Sequence, residues 1–123
     1  MTLLEAYDHL ASEIAARVDL PVVDNLKLRQ PALPCIAVVP DASRLSLHGG
    51  GSMLSGEHLF SVWILQPISG SYRDARSALY AVLQLLSDIP RFFAEPDVEY
   101  GEDLVGMNPK TECVLAKIIG KVA

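Results

Sequence analysis

The stretch GEHLFSVWILQPISGSYRDARSALYAVLQLLSDI, residues 56–89, decides the fold. Its first part, 57–66, alternates. Phe60, Val62 and Ile64 point to one side and Leu59, Ser61, Trp63 and Leu65 to the other, which is the period of a strand. Pro67 cannot donate to a ladder and closes it. Ser69-Gly70-Ser71 supplies a turn, and Ser71 with Asp74 three residues on is a variant of the capping box that opens a helix. Tyr72, Ala75, Leu79, Val82, Leu83, Leu86 and Ile89 then recur every three or four residues, one face of an amphipathic helix that Pro90 ends. Burying that face contributes about 1.5–3 kcal/mol per large side chain before the cost of ordering is subtracted.

Upstream, residues 3–18 form a second helix. Leu3, Tyr7, Leu10, Ile14 and Val18 share a side that Ala6, Ala11 and Ala15 widen. Thr2 and Glu5 make a capping box, with Glu5 and Asp8 near the helix start and Arg17 near its end, as the helix dipole favours. A weak strand at 20–24 leads through a proline-bracketed connector to CIAVV, 35–39, a buried strand closed by Pro40. Arg44, Ser46 and His48 alternate with Leu45 and Leu47 before the Gly49-Gly50-Gly51-Ser52 tip, so 45–66 reads as a hairpin with a long loop. Downstream of the long helix, Arg91-Phe92-Phe93 is expected to tuck two aromatic rings under the helix end. EPDVEYGED, 95–103, holds five acidic residues and no basic one, with Val98 and Tyr100 at strand spacing. Residues 111–122 are the last strand, with Val114, Ala116, Ile118 and Val122 on one side and Cys113, Leu115, Lys117, Ile119 and Lys121 on the other. The pattern predicts a single domain over 1–123 of the α+β class. It has a mixed, mostly antiparallel sheet, two main helices packed on it and a long β-hairpin arm.

The 123 residues are enough for one core, and with 50% hydrophobic and 20% charged residues the chain is globular rather than disordered. A net charge of −5 argues against nonspecific binding of nucleic acid by the surface as a whole. Cys35 and Cys113 sit in apolar strands without a CxxC motif and read as buried, reduced thiols of a cytosolic protein. The N-terminus has no basic region of the signal-peptide kind, and no apolar run approaches the ~18 residues of a membrane span.

Motifs that carry chemistry fail on their surroundings. His48 and the three glycines after it spell the oxyanion loop of some esterases. The GxSxG nucleophile elbow is missing, and Ser52, Ser69 and Ser71 stand in the wrong context. His9, His48 and His58 have no carboxylate or cysteine at ligand spacing and read as solvent-facing or edge histidines. The acidic stretch lacks the DxDxDG spacing of a calcium loop and reads as a solvated or channel-facing surface. Gly120-Lys121 has neither the first glycine nor the Ser or Thr of a phosphate loop. Catalytic residues, metal ligands and cofactor contacts are therefore expected to be none.

Two apolar sets remain. Leu59 and Trp63 lie opposite the Phe60 face; if the helices cover only that face, they are left with Leu65, Leu115 and Ile119 as a patch. Either the first helix covers them, or a second subunit does. Leu45, Leu47, Met53 and Leu54 sit on an otherwise polar, glycine-tipped arm and form a candidate contact with a neighbour.

The order of these pieces resembles a known family. A helix precedes PALPCIAVV at 31–39. A polar hairpin loop then enters a long strand, and after a short turn a helix ends in Ser87-Asp88-Ile89-Pro90. An acidic, Tyr-containing segment and a final strand follow. This is similar to the tail terminator (minor tail, or tail-completion) proteins of long-tailed bacteriophages, the lambda-like type in particular. In that type an early strand reads like Phe-Pro-Ala-Val-Ala-Val and a Ser-Asp-Ile-Pro follows the helix. The likeness covers most of the chain in element order; its matching motifs are short and none is catalytic. Residues 44–56 match the family's variable hairpin loop in place and not in letters, and the triple glycine departs from the pattern.

The resemblance implies a structural subunit with no active site and no cofactor. Such a subunit forms a hexameric ring at the head-proximal end of the virion tail. The ring caps the tail tube protein, halts polymerisation and later meets the head–tail connector or stopper protein, while genome DNA passes through without specific binding. Glu95, Asp97, Glu99, Glu102 and Asp103 are then candidates to face the ring lumen. Another neck component is the neighbouring reading, and a small enzyme or a dimeric ligand-binding domain are the readings from other classes.

Overall fold

The computed structural model describes residues 2–24, 33–40, 58–68, 70–103 and 112–122. Helix α1 spans Leu3–Arg17, and strands β1 (Val22–Val23), β2 (Cys35–Pro40) and β3 (His58–Pro67) follow. Helix α2 spans Tyr72–Leu85, ahead of β4 (Phe92–Asp103) and β5 (Glu112–Val122). The hairpin arm, with Leu45, Leu47, Met53 and Leu54, lies outside the described residues.

Both helix starts are capped as their sequences predict. Thr2 accepts from the Glu5 amide at 3.2 Å and Ser71 from the Asp74 amide at 3.2 Å, each satisfying one of the amides a helix leaves unpaired. Gly70 reaches φ +97° in the turn before α2, a region that suits glycine. Helix α2 ends at Leu85 with a turn after it, four residues short of Ile89, which is nevertheless buried.

The sheet has the order β1-β2-β3-β5-β4. Only β1–β2 is parallel; the other pairings are antiparallel, so the architecture is the mixed, mostly antiparallel α+β sheet that the sequence predicts. Strands β3 and β4, joined by α2, run parallel with β5 between them.

Both helices lie on one face. Ala6, Leu10 and Ile14 of α1 and Ala75, Leu79 and Val82 of α2 share a core with Ile36, Val38, Phe60, Val62, Ile64, Val114, Ala116 and Ile118. This decides the alternative left open for Trp63: α1 packs on the Phe60 face and does not cover Leu59 and Trp63. The helices are also tied end to end. The ring Nε2 of His9 and the Pro90 carbonyl are 2.7 Å apart, and Arg17 pairs with Glu13 and reaches Asp88 at 3.4 Å. These carboxylates, the Glu13 hydrogen bond first, hold the Arg17 guanidinium above its usual pKa. Burial raises the Tyr7 hydroxyl, and Asp24 and Asp8 add to the effect.

Four expectations change. His58 is not at the surface but 2% exposed, because it shares the parity of Phe60 and Val62 and stands opposite Val122. Phe92 and Phe93 do not both tuck in: consecutive strand residues face opposite sides, and Phe93 is 57% exposed. Tyr72 leaves the apolar face of α2, and its ring lies 5.7 Å from the Arg76 guanidinium. Ala15 is exposed rather than part of the packed side of α1.

Candidate functional site

With both helices on the Phe60 face, the other face of the sheet is the place to look. The pairing lays its residues out in rows. Ala37, Trp63, Lys117 and Glu99 stand in one row of register partners. Val39, Ser61 and Ile119 stand in the next, and Leu59, Lys121 and Phe93 in a third. Cys35, Leu65 and Leu115 form the row on the other side of Trp63.

Burial falls along this face. At one end Cys35, Leu65 and Cys113 form a small second core, with Val23, Leu33 and Trp63 packed against it. Both cysteines are buried, and neither is in a disulfide. Burial pushes the Cys35 thiol above its usual pKa, since a thiolate there would lose its hydration. Leu115, at the edge of this core, is partly exposed, as are Trp63, Ile119 and Leu59 towards the other end, and Phe93 more so. The Lys117 ammonium sits 5.0 Å from the centre of the Trp63 ring, a cation–π pair that holds the indole against the sheet. The strip is apolar, with Lys117 and Lys121 in its rows.

Of the candidate contact residues, the structure brings Leu59 and Trp63 to this one face, on either side of the Ser61–Ile119 row. The five acidic candidates lie along β4, which ends the sheet among the described residues. Glu99 stands opposite Lys117 and Asp103 opposite Glu112, while Glu95 and Asp97 fall where the register shifts between Ala94 and Val98. The strand spacing of Val98 and Tyr100 belongs to a longer strand of 12 residues, of which this stretch is the greater part. Phe93 is a surface residue the sequence reading missed; the alternation of Phe92 and Phe93 within a strand was the signal for it. Among the described residues no three His, Cys, Asp or Glu side chains gather as a metal site, and no helix is long and apolar enough to cross a membrane.

The class that the fold defines is a small α+β domain with both helices on one face of its sheet and, among the described residues, no helix on the other. No family model matches the chain, and no curated protein does. Fourteen chains of known structure match. One of them, whose designation names no function, is 18% identical with a TM-score of 0.51 over 98% of this chain and 94% of its own. At that identity the likeness speaks for the fold alone.

Proposed function

We propose that the protein is a ring-forming structural subunit of a phage tail, a tail terminator that caps the tail tube, stops its growth and offers the surface for head joining. The observation that carries this reading is the division of the sheet. Both helices cover one face, while the other presents Leu59, Trp63, Ile119 and Phe93 beside Lys117 and Lys121. A subunit that lives inside a closed ring uses such a face; a solitary domain exposes it to water at a cost. What supports it besides is the family resemblance in the sequence, whose hairpin loop lies outside the described residues. In this reading the acidic β4 belongs near the passage for genome DNA, where repelled phosphate does not stick, and no residue performs catalysis.

Native mass spectrometry and electron microscopy of the protein, alone and mixed with growing tail tubes, test the proposal. The expected result is a sixfold ring that halts tube elongation. Tubes that lengthen unchanged in the presence of a stoichiometric excess of the protein overturn the terminator reading. A ring that joins heads to finished tails without limiting tube length assigns the chain to another neck position.

A further inference from the structure

The two helices differ in what they show to the outside. On α1 the exposed residues are Leu4, Glu5, Asp8, Ser12, Ala15 and Ala16. Leu4, Asp8, Ser12 and Ala15 follow one another at helical spacing and make one stripe. Leu4, at its head, is 69% exposed, more than any other large hydrophobic residue among those described. The small side chains behind it let another surface approach the helix closely. Glu5 and Asp8 are the exposed charges of α1, and its one arginine, Arg17, is held by Glu13 and Asp88. The exposed charges of α2 are Arg73, Asp74 and Arg76, with the opposite net sign.

The strip on the other face of the sheet complements α1. Leu59, Trp63, Leu115 and Ile119 are its partly exposed apolar side chains, Phe93 flanks them, and Lys117 and Lys121 stand in its rows. The Lys117 ammonium, 5.0 Å from the centre of the Trp63 ring, places a cation within the apolar area. Such a surface suits a helix that brings an apolar anchor together with carboxylates. A helix laid on a sheet is also how the Phe60 face is covered. The lengths agree: α1 has 15 residues, about 22 Å at ~1.5 Å per residue. The strip from Leu59 to Leu65 runs about 20 Å at ~3.3 Å per residue. Helix α2 matches less well, since Arg73 and Arg76 would come against lysines.

We infer that this strip is the docking surface for the outward stripe of α1 of a second copy of this chain. Leu4 enters between Trp63 and Ile119, and Asp8 meets Lys117. The inference rests on the proposed function and names the partner of the face that carries it. Helix α1 and the strip lie on opposite faces of the sheet, so a subunit cannot satisfy its own strip. The contact is heterologous, and its repetition from copy to copy gives a ring when the rotation closes.

The test uses this geometry. A chain carrying both L4C and I119C cannot bridge its own two introduced thiols, but it can bridge to neighbours on either side. Mild oxidation with diamide is expected to give a ladder of covalent oligomers on a non-reducing gel, while each single variant stops at a dimer. Native mass supplies the second arm, with circular dichroism showing each variant folded. L4R, at an exposed site outside the core, is expected to weaken assembly at least tenfold in subunit concentration. D8K and K117E weaken it several-fold, and D8K/K117E recovers it. A ring without the ladder overturns the inference, as does an oligomer that L4R leaves unchanged, a D8K/K117E variant that stays apart or a wild-type monomer. An oligomer broken by I119R but not by L4R also overturns it, by giving the strip to a different partner surface. A ring that makes the ladder yet fails to stop tubes overturns the terminator reading instead. A dimer that obeys the swap keeps the contact and removes the ring.

Discussion

At Gly120 a Cβ would lie 2.4 Å from two ring carbons of Phe92 and 3.0 Å from the Cα of Ala94. The Phe92 ring crosses β5 over this one position, so glycine there is a packing requirement rather than a conformational one. Gly120→Ala is expected to lower stability by about 1–3 kcal/mol, the range for overpacking. Phe92→Leu in that background should return part of the loss, as thermal melts would show; two additive losses would mean that the ring is not the obstacle. Cys35 makes a second case. Its thiol is fully buried and its pKa raised by burial. The raised value favours the folded state fully below the unfolded thiol pKa of roughly 8.5. That contribution fades as pH climbs from there through the folded value. Native protein should therefore resist a thiol reagent at neutral pH and react on unfolding, and Cys35→Ala should soften the alkaline loss of stability. Rapid labelling of Cys35 in the native protein would contradict its placement.

The two helices depend on one small joint. His9 of α1 meets the Pro90 carbonyl at 2.7 Å, just where α2 has ended and the chain turns into β4 through Arg91, whose φ is +62°. His9→Ala should cost about 1 kcal/mol in urea unfolding, the net worth of one hydrogen bond. Asp88→Ala should cost less, because that carboxylate is 81% exposed. The opposite ranking would show that the charge and not the carbonyl contact joins the helices. Strand β3 and helix α2 were legible in the sequence because each keeps its own period over ten residues or more. His58 and Phe93 were misread where that period was not carried through: His58 shares the parity of Phe60, and Phe92 and Phe93 cannot share a side. The place of β5 between β3 and β4 was not legible at all, since alternation fixes which face a residue takes and not which strand lies beside it. The candidate surface divides in the same way. Parity alone set Leu59 and Trp63 opposite the core, but that neither helix covers them followed only from α1 packing with α2 on the Phe60 face. Tyr72 has the spacing of a core position, yet it stands at the first residue of α2 with its ring beside Arg76.

For the whole molecule the question is how the chain stays in order when β4 ends the sheet among the described residues. Strand β4 runs 12 residues along the end of the sheet, and a strand of that length is a template for any other strand that meets it. Glu95, Asp97, Glu99, Glu102 and Asp103 put five acidic positions along this strand. Edge against edge, two copies would bring up to ten negative charges together, and each opposed pair is unfavourable. Pro96 removes one donor from the same stretch. Replacing the five with Gln and Asn keeps their size and removes their charge. This variant should aggregate, with rising light scattering and a thioflavin signal at concentrations where the native chain stays clear. Salt should have the same direction of effect on the native chain and a smaller size, because ~0.5 M salt screens the repulsion without adding attraction. If the neutral variant remains as soluble as the native chain, the carboxylates of β4 are not what guards the edge.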